Sequence, residues 1–136
     1  MKQVFSMAKQ YGPVIGRVLL ALIFIISGYN KIGGFEQTAA MMASKGLPIA
    51  QVLLVLTIII ELGGGLMLLL GWRARWAALA IFLWLIPTTL IFHAFWGLDP
   101  AQVQMQQTQF MKNLAIMGGM MYVIAFGPGS YSLSRD

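Results

Sequence analysis

The chain has 136 residues, of which 59% are hydrophobic and only 10% are charged. Soluble domains carry about 25% charged residues, so this composition predicts one membrane-embedded domain over residues 1–136. The sequence contains no cysteine and a single histidine, which excludes disulfides, iron–sulfur clusters and a bis-histidine haem within one chain, and we expect no metal site.

Four apolar stretches predict four transmembrane helices, at about residues 13–30, 48–70, 74–96 and 110–127. Each is close to the roughly 20 residues that cross about 30 Å of hydrocarbon at 1.5 Å per residue. The predicted fold is therefore an all-α bundle of four transmembrane helices.

The loop between the first two stretches predicts a short amphipathic helix at the outer membrane surface. Phe35, Ala39 and Met42 recur at helical spacing, and Gly46 followed by Pro48 is typical of a helix end. A short helix with one apolar face is expected to lie in the membrane interface rather than to cross the bilayer.

The basic residues predict the orientation, because lysine and arginine favour the cytoplasmic side of a membrane. The predicted inner side holds Lys2, Lys9, Arg73, Arg75 and Arg135. The predicted outer side holds Lys31, Lys45 and Lys112. We therefore predict a multi-pass protein with both termini in the cytoplasm. The net charge of +5 is too dispersed for a nucleic-acid site, so the expected partner is the lipid bilayer.

Two ionisable residues lie inside the predicted hydrocarbon region, where a charge costs about 2.5–3.5 kcal/mol on insertion scales. Glu61 is near the middle of the second helix, with Thr57 one turn before it and Gly65 one turn after. It is interpreted as a proton-relay group, as a hydrogen-bond partner of a ligand, or as a structural ion-pair partner. Arg17 lies one turn into the first helix, and the antiparallel second helix favours an Arg17–Glu61 pair. The alternative for Arg17 is snorkelling to the headgroups.

Other polar residues are expected to meet near the outer face of the bundle. Lys31 ends the first helix, His93 lies near the end of the third, and Lys112 and Asn113 begin the fourth. Their convergence predicts a polar pocket that opens outward. The structural alternatives are a hydrogen-bonded packing role for His93 and an interfacial anchor for Lys112.

The ordered motifs of the chain resemble the DoxX family of small four-helix membrane proteins of bacteria. They are Arg17, GYNKIGGF at 28–35, ASKGLP at 43–48, ELGGGLMLLLGWRAR at 61–75, His93, MKNLAIMGG at 111–119 and FGPGSYSLSRD at 126–136. The resemblance covers nearly the whole chain and implies a location in the bacterial inner membrane. It marks the same six candidate site residues: Arg17, Lys31, Glu61, His93, Lys112 and Asn113.

The resemblance also implies a link to redox chemistry. Members of this family are linked to a thiosulfate:quinone oxidoreductase, as its small subunit, and to a membrane oxidoreductase complex for oxidative-stress defence. The first hypothesis is therefore a quinone-binding accessory subunit of an oxidoreductase, in which Glu61 and His93 handle protons while Arg17, Lys31 and Lys112 orient carbonyl or anionic groups. The second is a transporter or channel for a small solute or protons, acting as a homo-oligomer. The third is a membrane scaffold for a soluble oxidoreductase.

Overall fold

The structure is a computed structural model that describes residues 1–136 and contains helices but no β-strand. In chain order the helices are α1 (Lys2–Gly33), α2 (Phe35–Ser44), α3 (Ala50–Leu70), α4 (Ala74–Phe92) and α5 (Pro100–Phe126). One turn of α3, Ile59–Gly63, has π-helical hydrogen bonding.

Three of these helices, α1, α3 and α4, are long and apolar enough to cross a membrane. Only 23 of the 136 residues are buried within the chain, and large apolar side chains such as Leu19, Leu56 and Leu83 are exposed. This distribution is expected where lipid covers the helices. α5 is not among the three candidate spans, and its first turns are rich in glutamine. A fourth crossing, by the second half of α5, stays a prediction.

The connection between α4 and α5 is placed differently from the sequence prediction. The sequence predicts that the third helix runs to Trp96, but α4 ends at Phe92, and His93 leaves it with φ −121° and ψ 19°. α5 begins at Pro100 rather than near Phe110. Proline suits the first turn of a helix, where its missing N–H group has no partner to lose. His93 therefore begins a connecting segment instead of lying inside a helix.

α1 begins at Lys2, well before the predicted start at Pro13. The additional turns meet the C-terminal tail, residues 127–136, which follows α5 and returns to the bundle. The rings of Tyr11 and Tyr131 are stacked with their centroids 5.8 Å apart. The tail thus gives the early part of α1 a packing partner.

The tail also pairs with the end of α3 through backbone hydrogen bonds. Leu133 N–H donates to the carbonyl of Leu70 at 3.2 Å, and Ser134 N–H donates to the carbonyl of Gly71 at 3.1 Å. These bonds supply donors to carbonyls that a helix end leaves without partners.

The segment between α1 and α3 forms the helix α2, which packs on α3. Ala39 and Met42 of α2 are buried in a small apolar cluster with Ala50 and Leu54 of α3. The chain then turns at Gly46, whose φ of 84° is in the left-handed region that favours glycine. That α2 lies at the outer membrane surface stays a prediction.

α3 and α4 pack side by side because the turn between them is short. Gly71 ends α3 with a φ of 70°. A Cβ atom on Gly64 would come within 3.1 Å of Ile81 Cδ1, so glycine permits the close approach of the two helices. The main core joins α1, α3, α4 and α5 through Ala21, Phe24, Leu68, Ala78, Ile81, Leu85 and Met120.

Candidate functional site

Glu61 of α3 forms an ion pair with Lys31, which lies in the last turn of α1. Its Oε1 atom is 2.6 Å from Lys31 Nζ, and the carboxylate side chain is 3% exposed while the lysine is 27% exposed. Lys31 Nζ also donates a hydrogen bond to Ser27 Oγ at 2.7 Å, one turn earlier in α1. Glu61 belongs to the π-helical turn of α3, a type of irregularity that is common at functional sites.

Lys31 is the polar partner of the buried carboxylate oxygen Glu61 Oε1. Lys31 Nζ lies 2.6 Å from this atom, and no further donor reaches it. A buried carboxylate that loses its charged partner is strongly destabilised. Glu61 and Lys31 are therefore expected to act as a unit.

Two glycines set the register in which α1 and α3 meet. A Cβ on Gly28 would lie 3.0 Å from the backbone nitrogen of Leu62, and a Cβ on Gly65 would lie 2.9 Å from Ile25 Cγ1. The helices run antiparallel, so moving toward the C-terminus of α1 means moving toward the N-terminus of α3. This register places the end of α1, with Lys31, beside Glu61.

The same register shows that the predicted Arg17–Glu61 pair is wrong. Arg17 lies opposite Leu68 and Leu69, to whose carbonyls it donates. These residues are about two helical turns beyond Glu61, which is roughly 10 Å along the axis at 1.5 Å per residue. The carboxylate is paired with Lys31 instead.

Arg17 is 2% exposed and donates only to backbone carbonyls. Its Nη1 atom donates to Leu68 and Leu69 at the end of α3, at 3.2 Å and 3.0 Å. Its Nε and Nη2 atoms donate to the tail carbonyls of Pro128, Ser130 and Tyr131 at 2.9, 3.2 and 2.8 Å. A guanidinium has five N–H groups, and the five bonds use all of them. Arg17 therefore joins the tail to the bundle and has no donor left for a ligand.

A cavity of about 460 Å³, which we call the central cavity, receives side chains from all five helices. Its polar lining residues are Lys31, Thr38, Lys45, Thr57, Thr88, His93 and Gln106. Its apolar lining residues are Met41, Met42, Leu54, Trp84 and Phe92. Small-molecule sites likewise combine apolar walls with polar groups that orient the ligand, and the volume is within their usual range of about 300–1,000 Å³.

His93 lines the central cavity and joins α4 to α5. Its Nδ1 atom is 3.2 Å from Gln106 Oε1. An amide oxygen only accepts hydrogen bonds, so this contact requires a proton on Nδ1. In the tautomer that carries its single proton there, Nε2 is an acceptor. No group of three or more histidine, aspartate or glutamate side chains lies close enough to hold a metal ion.

The other two predicted site residues lie outside the central cavity. Asn113 is buried and donates from Nδ2 to Thr89 Oγ1 at 3.0 Å, which links α5 to α4. Lys112 is exposed and lines an open groove of about 640 Å³ beside α1, which we call the lateral groove. Lys31 and Thr38 line both the lateral groove and the central cavity.

The structure thus brings Lys31, Glu61 and His93 to one region and adds residues that the sequence analysis did not select. Trp84 and Thr88 line the central cavity from α4. Their spacing of four residues, which puts both on one face of a helix, is the sequence pattern that could have indicated them. Thr88 donates to the carbonyl of Trp84 at 2.9 Å, so its hydroxyl oxygen remains an acceptor toward the cavity.

Comparison with known proteins identifies relatives along most of the chain. The DoxX family model matches residues 12–94. Inner membrane protein YphA of Escherichia coli (strain K12) is 30% identical over 131 residues, which cover 96% of this chain and 94% of YphA. Inner membrane protein YqjF of the same organism is 35% identical, over 91% of this chain and 90% of YqjF. The Surfeit locus protein 4 homolog of Schizosaccharomyces pombe is 24% identical over 93% of this chain but only 38% of its own length. No solved structure matches the chain significantly.

Proposed function

This chain belongs to the DoxX family of membrane proteins, and from that premise we propose that it binds a quinone or a similar lipophilic ligand in the central cavity of an inner-membrane bundle. The inner-membrane location follows the names of YphA and YqjF. The observation that carries the ligand proposal is the central cavity, where Lys31 and His93 stand beside apolar and aromatic side chains.

The walls of the central cavity suit a flat aromatic headgroup. Trp84 and Phe92 contribute rings from α4, and Met42 contributes a thioether that adapts to irregular shapes. A quinone ring packed between these side chains would leave its two oxygens to the polar lining residues.

The polar groups are matched to both redox forms of such a ligand. The Lys31 ammonium is a donor and suits the carbonyl oxygen of an oxidised quinone. With Nδ1 directed at Gln106, the acceptor Nε2 of His93 suits the hydroxyl group of a reduced quinol. Glu61 balances the charge of Lys31 and, as the carboxylate of the pair, would be its proton-accepting group.

In this proposal the chain holds the ligand while a partner oxidoreductase supplies or removes the electrons. The chain's own residues orient the two ligand oxygens and exchange protons with them. This role corresponds to an accessory subunit of a quinone-linked oxidoreductase.

The test is quinone binding by the purified full chain in a mild detergent. An organic extract of the sample should contain quinone, and a short-chain quinone added to stripped protein should quench the fluorescence of Trp84, which lines the cavity. His93→Phe should weaken binding about fivefold to tenfold, because a hydrogen bond to a buried polar ligand is worth roughly 1–1.5 kcal/mol.

A double variant and a control complete the experiment. Lys31→Met combined with Glu61→Gln removes the ion pair without leaving a buried charge, and it should also weaken binding. Lys112→Gln removes one lysine outside the central cavity and should leave quinone affinity unchanged. Absence of quinone from the extract together with no saturable quenching would refute the proposal.

One observation favours a second candidate, the transport of a small solute or protons. Lys31 and Thr38 line both the central cavity and the lateral groove, so the Lys31–Glu61 pair lies where the two spaces approach each other. Flux into proteoliposomes that Glu61→Gln abolishes would support transport. Equal flux in protein-free vesicles would exclude it.

A further inference from the structure

The lateral groove has a polar end and an apolar end on one face of α1. Ile23, Ile26 and Asn30 line it at spacings of three and four residues, which place them on the same side of the helix. Lys31 lies eight residues after Ile23, about 12 Å along the axis at 1.5 Å per residue. The groove thus changes from apolar to cationic along its length, in the order in which a lipid changes from acyl chain to headgroup.

The charged end of the lateral groove is cationic and lacks acidic residues. Lys31 reaches it from α1 and Lys112 from α5, and no aspartate or glutamate is among the lining residues. The carboxylate nearest to Lys31 is that of Glu61, which is 2% exposed and faces the interior of the bundle. An ethanolamine or choline cation would therefore find no partner here, whereas a phosphate with a net negative charge would find two lysines.

The donors at this end are available to a ligand. Lys31 Nζ uses one N–H group on Ser27 and one contact on Glu61, which leaves a third. Lys112 is exposed, and its only hydrogen bond joins it to Gln109 one turn earlier in the same helix. Asn30 and Thr38 add neutral polar groups beside the two lysines.

We propose that the lateral groove is a binding site for an anionic glycerophospholipid, with the headgroup phosphate between Lys31 and Lys112 and an acyl chain along Ile23 and Ile26. A second copy of the chain is a poorer occupant, because a two-fold interface at this face sets lysines of one copy near those of the other. The site shares Lys31 and Thr38 with the central cavity, whereas Lys112, Ile23 and Ile26 line the lateral groove and not the cavity.

The experiment measures lipid binding to the delipidated full chain by native mass spectrometry. Phosphatidylglycerol should bind more tightly than phosphatidylethanolamine with the same acyl chains. Lys112→Gln should weaken phosphatidylglycerol binding about fivefold, which corresponds to the roughly 1 kcal/mol that one lysine contributes near an anionic lipid. Lys112→Arg should retain the affinity.

Lys45→Gln is the matched control, because it removes the same charge from a lysine that lines the central cavity but not the lateral groove. It should leave phosphatidylglycerol binding at the level of the unsubstituted chain. The proposal is overturned if the two lipids bind equally, if Lys45→Gln and Lys112→Gln have equal effects, or if the species that depends on Lys112 is a dimer of the chain. Quinone titration of Lys112→Gln separates this proposal from the one for the central cavity, since that affinity should not change.

Discussion

Replacement of Arg17 by methionine should destabilise the bundle, although Arg17 has no acidic partner. Two of its five hydrogen bonds, to the carbonyls of Pro128 and Leu68, are buried. Leu68 keeps a second donor in the Gly71 N–H group, at 3.2 Å, whereas Pro128 loses its donor. The other three carbonyls are partly buried and regain water when the guanidinium is removed.

The expected loss in the free energy of unfolding is about 3 kcal/mol. Hydrogen bonds to a charged group are worth roughly 1.5–3 kcal/mol each, so two buried bonds set an upper range of about 3–6 kcal/mol. The remaining donor to Leu68 and the packing of the methionine side chain bring the value toward the lower end. The stability of Arg17→Lys should lie between that of the unsubstituted chain and that of Arg17→Met, because an ammonium has three N–H groups where the guanidinium has five.

The assay is unfolding in mixed micelles by increasing sodium dodecyl sulfate, followed by far-ultraviolet circular dichroism. Arg73→Met is the control, because Arg73 is an exposed arginine in the nearby turn and substitutions at exposed positions usually change stability by less than about 0.5 kcal/mol. Equal midpoints for Arg17→Met and Arg73→Met would refute the view that Arg17 holds the tail and α3 together.

Two further predictions concern helix contacts. Gly28→Ala should destabilise the chain, because the new Cβ lies 3.0 Å from the Leu62 nitrogen. Gly118→Ala meets nothing within 4 Å and should stabilise its helix by up to about 1 kcal/mol. Unfolding midpoints that move in the same direction for both variants would contradict this prediction. Asn113→Leu should lower the free energy of unfolding by about 0.6–1.7 kcal/mol, because the hydrogen bond to Thr89 is lost. Adding Thr89→Val should lower it little further. If the effects of the two substitutions were fully additive, the two side chains would not be coupled.

The sequence was sufficient to predict the helical class, and it singled out Arg17 and Glu61, which the structure buries. Hydropathy predicts α1, α3 and α4 because each apolar stretch is long enough to be seen without knowledge of its neighbours. Hydropathy does not decide whether α5 crosses the membrane, because its glutamine-rich beginning continues into an apolar half without a break in the helix. The end of α4 was also missed, because no proline or glycine marks the change at His93.

The pairing of the charges could not be predicted, because it depends on the register between α1 and α3. Both Arg17 and Lys31 lie on the face of α1 that meets α3, and periodicity alone does not say which of them is level with Glu61. The contact of Gly28 with Leu62 decides the question in favour of Lys31. A GxxxG-like or other small-residue pattern indicates that two helices approach closely. It does not indicate which residues of the two helices lie opposite each other.

Arg17 and Lys31, the two cations of α1 that meet α3, therefore differ in how many N–H groups remain free for a ligand. Arg17 has five N–H groups and five carbonyl partners, and these bonds hold the tail to the bundle. A ligand would therefore have to displace one of these hydrogen bonds to reach the guanidinium.

Lys31 has an N–H group left over and a partly exposed ammonium beside the carboxylate of Glu61. A partly exposed donor with remaining capacity is open to a ligand, whereas a donor group whose N–H bonds are all in use is not. This difference favours the proposal of ligand binding at the Lys31 end of the molecule and a structural role at the Arg17 end. It also predicts that Arg17→Lys will lower the free energy of unfolding more than it lowers the free energy of quinone binding. His93→Phe should lower the free energy of quinone binding more than that of unfolding.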